Sequence, residues 1–244
     1  MVLPKIERIG EVNINSYGHK MTIISYRSER DIEVVFEDGY IKKCSYGRFK
    51  SGNVKNNNMP SKYGVGYIGD TTTKCDGVEK LSYRVWVSIL DRILGNKLRS
   101  YDNVSISDEW LCYAVFEKWY NENYYKVNDE KMCIDKDVLC NTGAKIYSKD
   151  TCIIIPERIN NVFVSFYNSE TGATYRAKRN AYEVSCRDFT GKKVYLGYYK
   201  NKEDALITYR KFKIKTIIEV IESYKDKLPN HIYNILSTNL TLIK

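Results

Sequence analysis

Apolar and polar residues alternate over Met21 to Tyr26 and Ile32 to Phe36, the two-residue period of strands that bury one face. Asp38-Gly39 follows, a dipeptide that accepts the positive φ of a tight turn, and Tyr40 to Cys44 supplies a returning strand. The segment up to about Asn58 therefore reads as a small, curled antiparallel β module. Gly52 to Ser61, GNVKNNNMPS, has no apolar period and contains Pro60, so it reads as a linker with a domain boundary.

Beyond that boundary the period lengthens. Leu81, Val85, Ile89 and Ile93 recur at helical spacing until Gly95 ends the run. Ser107 is placed to cap a second helix, with Asp108 and Glu109 in its first turn and Trp110, Val115, Phe116 and Trp119 as bulky contacts. Tyr120, Tyr124 and Tyr125 complete that core. A strand around Met132 to Asp135, a loop with Asn141 and Gly143, a strand at Ile153 to Ile155 and a helix opened by Pro156 come next.

In the last third, Tyr182, Val184 and Cys186 share one strand face and Glu183, Ser185 and Arg187 the other. After a turn at Gly191, Val194 and Leu196 point inward while Lys193 and Tyr195 point outward. One sheet face is thus apolar and the other basic. A helix capped by Asn201 carries Ala205, Tyr209, Phe212, Thr216 and Val220 on one side and should cover the apolar face. Pro229 precedes a short final helix, His231 to Leu236.

Charge narrows the choice of partners. The 244 residues carry 39 Lys plus Arg against 30 Asp plus Glu, a net charge of +9, which favours polyanions. Lys, Asn, Ile and Tyr are also the residues of AT-rich codons, so a solvated basic sheet face fits the charge equally well. The seven cysteines, odd in number and without a CxxC pair, indicate neither a disulfide framework nor structural zinc. His19 and His231 read as ordinary exposed histidines, and Trp86, Trp110 and Trp119 as core. The loop GVGYIGD lacks the Lys-Ser/Thr ending of a nucleotide loop. MVLPKIERIG has no long apolar core, and the run Ile153 to Ile155 stops at Pro156, so the expectation is a soluble, cytoplasmic protein with no membrane partner.

Three blocks together resemble phage-encoded HNH-endonuclease-like proteins that end in an Apetala-type DNA-binding domain. They are YRVWVSILDRI with VSISDEWLCYAVFEKWYNENYY, then IDKDVLCNTGAKIYSKDTCIIIPERIN, then YEVSCRDFTGKKVYLGYYKNKEDALITYRKFK. Their order and spacing carry the likeness across most of residues 64 to 244, and the N-terminal module resembles one often joined to such proteins. The resemblance implies an α+β protein of three parts. These are a small antiparallel β barrel-like module over residues 1–60, a helical and degenerate ββα-metal (HNH-like) module over 61–168, and a three-stranded sheet packed on a helix over 169–244.

By the same resemblance the C-terminal sheet lies in the major groove of double-stranded DNA, which admits a β-ribbon. The residues nominated for contact are Arg187, Lys193 and Tyr195 on the sheet, with Arg176, Lys178 and Arg179 from the preceding turn. In the HNH-like block the resemblance assigns Asp135 and Asn160 or Asn161 to a Mg or Mn ion. It puts Lys136 where the catalytic histidine belongs. A lysine works as a base near neutrality only when burial or nearby cations depress its pKa, and Asp135 and Asp137 flank this one. The expected function is sequence-preferring DNA binding, in a phage-infected bacterial host, around a degenerate nuclease-like centre. An active metal-dependent homing-type endonuclease and an interaction protein that inhibits a host nuclease or defence complex are the alternatives. A structural ion pair formed by Asp135, Lys136 and Asp137 is compatible with the degenerate reading.

Overall fold

The computed structural model describes residues 8–95, 103–139, 145–167 and 172–243. The loop expected around Asn141 and Gly143, with Cys140, lies outside the described residues, as do residues 1–7. The fold is mixed α+β, with small sheets and seven helices among the described residues. No described helix is long and apolar enough to cross a membrane. Contacts group the chain into two compact units, Met1–Asn96 with Asp108–Glu117, and Lys97–Ser107 with Lys118–Lys244. The boundaries expected near residues 60 and 168 fall inside these units.

In the first unit β1 (Val12–Ile14), β2 (Lys20–Ser28), β3 (Asp31–Phe36) and β4 (Ile41–Cys44) pair antiparallel in chain order. The sheet is open: β1 and β4 are its edges, and the expected barrel-like closure does not form. Edges of three and four residues offer too short a ladder to close four strands on themselves. Met21, Ile23, Ile32, Val34 and Phe36 face inward, as the alternation requires, and are closed over by Phe49 of α1 (Tyr46–Lys50) and by Val54. The polar segment 52–61 is pinned to this module rather than free. Asn15 Nδ2 donates to Val54 O at 2.9 Å, and the buried Asn56 donates to Asp38 at 3.0 Å. Its polarity serves to satisfy buried backbone, which hydropathy reads as solvation.

A short ribbon of β5 (Lys74–Cys75) and β6 (Val78–Glu79) leads into α2 (Leu81–Leu94). The buried stripe of α2 is Ser82, Trp86, Ile89, Leu90 and Ile93, so the expected Leu81 is instead exposed. The second expected helix is broken at Cys112 into α3 (Asp108–Leu111) and α4 (Tyr113–Asn123). The glycine loop causes the break by borrowing backbone partners there. Tyr67 N donates to Leu111 O, while Tyr113 and Ala114 donate to Tyr67 O and Ile68 O. A Cβ on Gly66 would sit 2.7 Å from Leu90 and 3.1 Å from Trp86, so this loop is a packing device. Trp110 and Phe116 are buried, whereas Val115 is exposed. Burial alone would push the Glu117 carboxyl up, but hydrogen bonds from Lys80, Thr71 and Tyr113 hold it below its ordinary range.

In the second unit β7 (Val104–Ile106) pairs parallel with β9 (Lys145–Tyr147). Ser107 does not cap with its side chain: its hydroxyl is buried without a hydrogen-bond partner, and its N–H donates to Tyr147 O. β8 (Met132–Asp135) pairs antiparallel with β10 (Ile153–Pro156), and α5 (Glu157–Tyr167) begins one residue after Pro156. β11 (Ala173–Arg176), β12 (Ala181–Arg187) and β13 (Lys193–Tyr199) form an antiparallel sheet in chain order, followed by α6 (Lys202–Glu222) and α7 (Asn230–Ile243). α7 runs beyond the expected His231 to Leu236.

α6 serves two cores. Its first half, through Ala205 and Tyr209, closes on Val184 and Cys186 of the sheet. Its second half, through Ile217, Val220 and Ile221, enters the core made by Ile153 and Ile155 of β10, Ile159 and Phe163 of α5, and Ile232 and Leu236 of α7.

Candidate functional site

Two hairpins hold the residues nominated for DNA contact. The β11–β12 connection is a 3-10 turn, Ala177–Arg179, ended by Asn180 in the left-handed region at φ 46°. Tyr175 donates its hydroxyl to Asn180 Oδ1 at 2.7 Å, and Lys200 donates to Arg179 O and Asn180 O at 3.2 and 3.3 Å. The turn is thereby fixed, and Lys178 and Arg179 stand exposed on it. At the other end Asp188 Oδ1 accepts from Thr190 N, Thr190 Oγ1 and Lys192 N, with Gly191 at φ +88°. These bonds, that of the Thr190 hydroxyl foremost, hold the Asp188 carboxyl below its ordinary range. Its charge is committed to the turn.

The register places Arg187 directly opposite Lys193 and Ser185 opposite Tyr195. Among the described residues the Arg187 guanidinium reaches a carbonyl, Gly191 O at 2.8 Å, and the Lys193 ammonium has neither a hydrogen bond nor an ion pair. Like charges opposed across a ladder are unfavourable. Arg176 differs: its guanidinium donates to Glu183 at 2.5 Å, so one of the nominated cations is neutralised on the same face. The Arg179 guanidinium lies 4.5 Å from the centroid of the Tyr198 ring.

Tyr198 was not nominated, because strict alternation sends it inward. The ladder slips between Val184 and Ser185, so that Leu196 is an extra residue on β13, and Gly197 takes φ +124°. The bulge turns Tyr198 out beside Tyr195, rings 5.7 Å apart, and Tyr199 in against the helix side. A glycine inside a strand pattern is the signal that marks such a slip. Arg179, Ala181, Tyr198 and Lys200 line a hollow of about 320 Å³ on this face.

The β8–β10 strand pair is built differently. Asp135 is buried, and its Oδ1 accepts from Asp137 N at 2.9 Å and Val138 N at 2.7 Å. Burial pushes its carboxyl above the ordinary range, against those two hydrogen bonds. Lys136, also buried, donates to both carboxylate oxygens of Asp137 at 2.8 Å and lies 5.6 Å from the centroid of the Tyr147 ring. On α5, Asn160 Oδ1 is buried without a hydrogen-bond partner among the described residues, and Asn161 is exposed. Adjacent helical residues point about 100° apart. Among the described residues no three His, Cys, Asp or Glu gather into a metal-binding cluster.

The orphaned Asn160 oxygen would suit a hard cation. The rest of the described donor set does not, because Asp135 Oδ1 is spent on two backbone N–H groups and the ammonium of Lys136 sits beside it in sequence. The described residues do not fit a Mg or Mn centre.

This makes Asp135 a turn-former, and a pH experiment separates the two roles. Its folded pKa is raised, so as pH rises the unfolded chain releases the proton first, and the carboxyl's contribution to stability falls through and above the ordinary aspartate range. Asp135→Asn, which keeps the acceptor, is expected to melt higher than wild type at pH 7, with the gain shrinking toward pH 3. Asp135→Ala strands two N–H groups and should cost about 2–4 kcal/mol in denaturant unfolding. Protection of wild type by Mg, lost in Asp135→Asn, would instead identify a metal ligand.

No family model matches the chain, and neither a curated protein nor a solved structure matches it.

Proposed function

We propose that the protein binds double-stranded DNA through the outer face of the β11–β13 sheet, with the HNH-like hairpin serving as scaffold rather than catalyst. The observation that carries this reading is the uncovered outer face, where Arg187 and Lys193 oppose each other and Arg179, Tyr198 and Tyr195 stand beside them. Its reverse face is closed by α6. A two-stranded ribbon fits the major groove, which is about 12 Å wide. There Arg can bridge guanine acceptors, Lys can hold phosphate, and Tyr can pack against sugar or base edges. The likeness of the third block to Apetala-type domains supports the same mode of docking. The commitment of Asp135 Oδ1 to two backbone N–H groups argues against metal-dependent cleavage.

Selection of bound sites from random duplexes, with and without divalent metal, tests recognition and cleavage together. Fluorescence anisotropy across a salt series then assigns the contact. Lys193→Ala is expected to reduce the slope of log affinity against log salt by about one, the signature of one lost phosphate contact. An unchanged slope would remove Lys193 from the interface.

A further inference from the structure

The core-facing stripe of α6 contains a lysine. Ala205, Tyr209, Lys213, Thr216, Ile217, Val220 and Ile221 are all buried, and Lys213 retains only 5 % exposure. Its ammonium has no hydrogen bond or carboxylate partner among the described residues, and the titratable group that bears on it is the Cys186 thiol. Burial pushes its pKa below the ordinary lysine value. An unpaired ammonium on a core stripe is costly unless something compensates it.

Lys213 lines a cavity of about 450 Å³ between α5, the β12–β13 turn and α6. The acidic groups on that cavity are committed elsewhere. Glu157 accepts from Lys131 at 2.6 Å, and Asp188 is held within its turn. The basic groups are not neutralised: Arg158 donates to the carbonyl of Phe189, and Arg187 to that of Gly191. Asn161 and Phe189 complete an amide and an aromatic wall. The volume lies in the range of small-ligand pockets, about 300–1,000 Å³.

From this geometry we infer that the cavity is a binding site for a phosphate group, seated on the Lys213 ammonium with Arg158 at its rim. Phosphate supplies the charge that Lys213 lacks, and the remaining volume admits an organic ester of it. The site shares Arg187 with the end of the sheet, but its seat on Lys213 and Arg158 does not depend on DNA binding at the outer face.

Titration calorimetry and thermal melting with inorganic phosphate, at ionic strength held constant with chloride, test the site. Wild type is expected to bind one phosphate saturably and to melt higher with it. Lys213→Met, of similar length and uncharged, is expected to melt at or above wild type without phosphate and to bind phosphate at least about tenfold more weakly. Should that variant fail to fold, Arg158→Gln at an exposed rim position should still weaken binding severalfold. Tighter binding of a deoxynucleoside monophosphate than of the ion assigns a phosphate ester, and equal binding assigns the free ion. Absence of saturable binding to wild type overturns the inference, as does phosphate binding equal to wild type in the folded variants.

Discussion

Replacing Arg179, Arg187 and Lys193 together by alanine is expected to reduce duplex affinity about a hundredfold or more at moderate salt and to flatten the salt slope by about two to three. The three side chains are exposed, and none of them meets a carboxylate among the described residues. Their removal should therefore leave the fold within about 0.5 kcal/mol of wild type. Loss of the Arg187–Lys193 opposition should even favour it slightly. Anisotropy titrations at several salt concentrations, beside denaturant melts of the same preparations, separate lost contact from lost structure. A triple variant that binds duplex with undiminished affinity would sink the sheet as the interface. A comparison with Arg176→Ala sharpens the test, because Arg176 is already paired with Glu183 and should contribute little.

The largest loss of stability is expected at Trp86. It is fully buried on α2, its indole N–H donates to Trp110 O at 2.7 Å, and its ring packs against Tyr113 and beneath Gly66. Trp86→Ala empties that space and removes the hydrogen bond to Trp110 O, at a cost of about 3–5 kcal/mol in denaturant unfolding. Trp86→Phe keeps most of the volume and should cost less, with the lost indole hydrogen bond accounting for about 0.5–1.5 kcal/mol. A base-stacking tryptophan would behave oppositely, losing affinity at nearly unchanged stability. That outcome would move Trp86 out of the core.

Periodic elements were legible in the sequence, and their interruptions were harder to read. The inward residues of β3 and β12 follow from alternation alone, and Asn201 does cap α6, its side chain accepting from Glu203 N. The slip at Gly197 was missed because a bulge changes parity without changing composition, and it hid Tyr198. Lys213 was missed because a helical stripe is read from apolar positions, and a charged residue on it scores as a gap. The pinning of residues 52–61 lies in side-chain amides that reach backbone far along the chain, as Asn15 reaches Val54. The break at Cys112 depends on a loop about 45 positions earlier, Tyr67 and Ile68, which no local window contains. At β8 and β10 the strands were visible, but the direction of the Asp135 oxygen is a tertiary fact.

The sharing of α6 between two cores limits how this chain can be divided. A fragment cut before β11 would carry the sheet and its covering helix but leave Ile217, Val220 and Ile221 without β10 and α5. The β11–β13 sheet is therefore not a portable cassette. Its helix is also the keystone of the neighbouring core, and grafting the sheet onto another protein would require a new apolar lining for the far half of that helix.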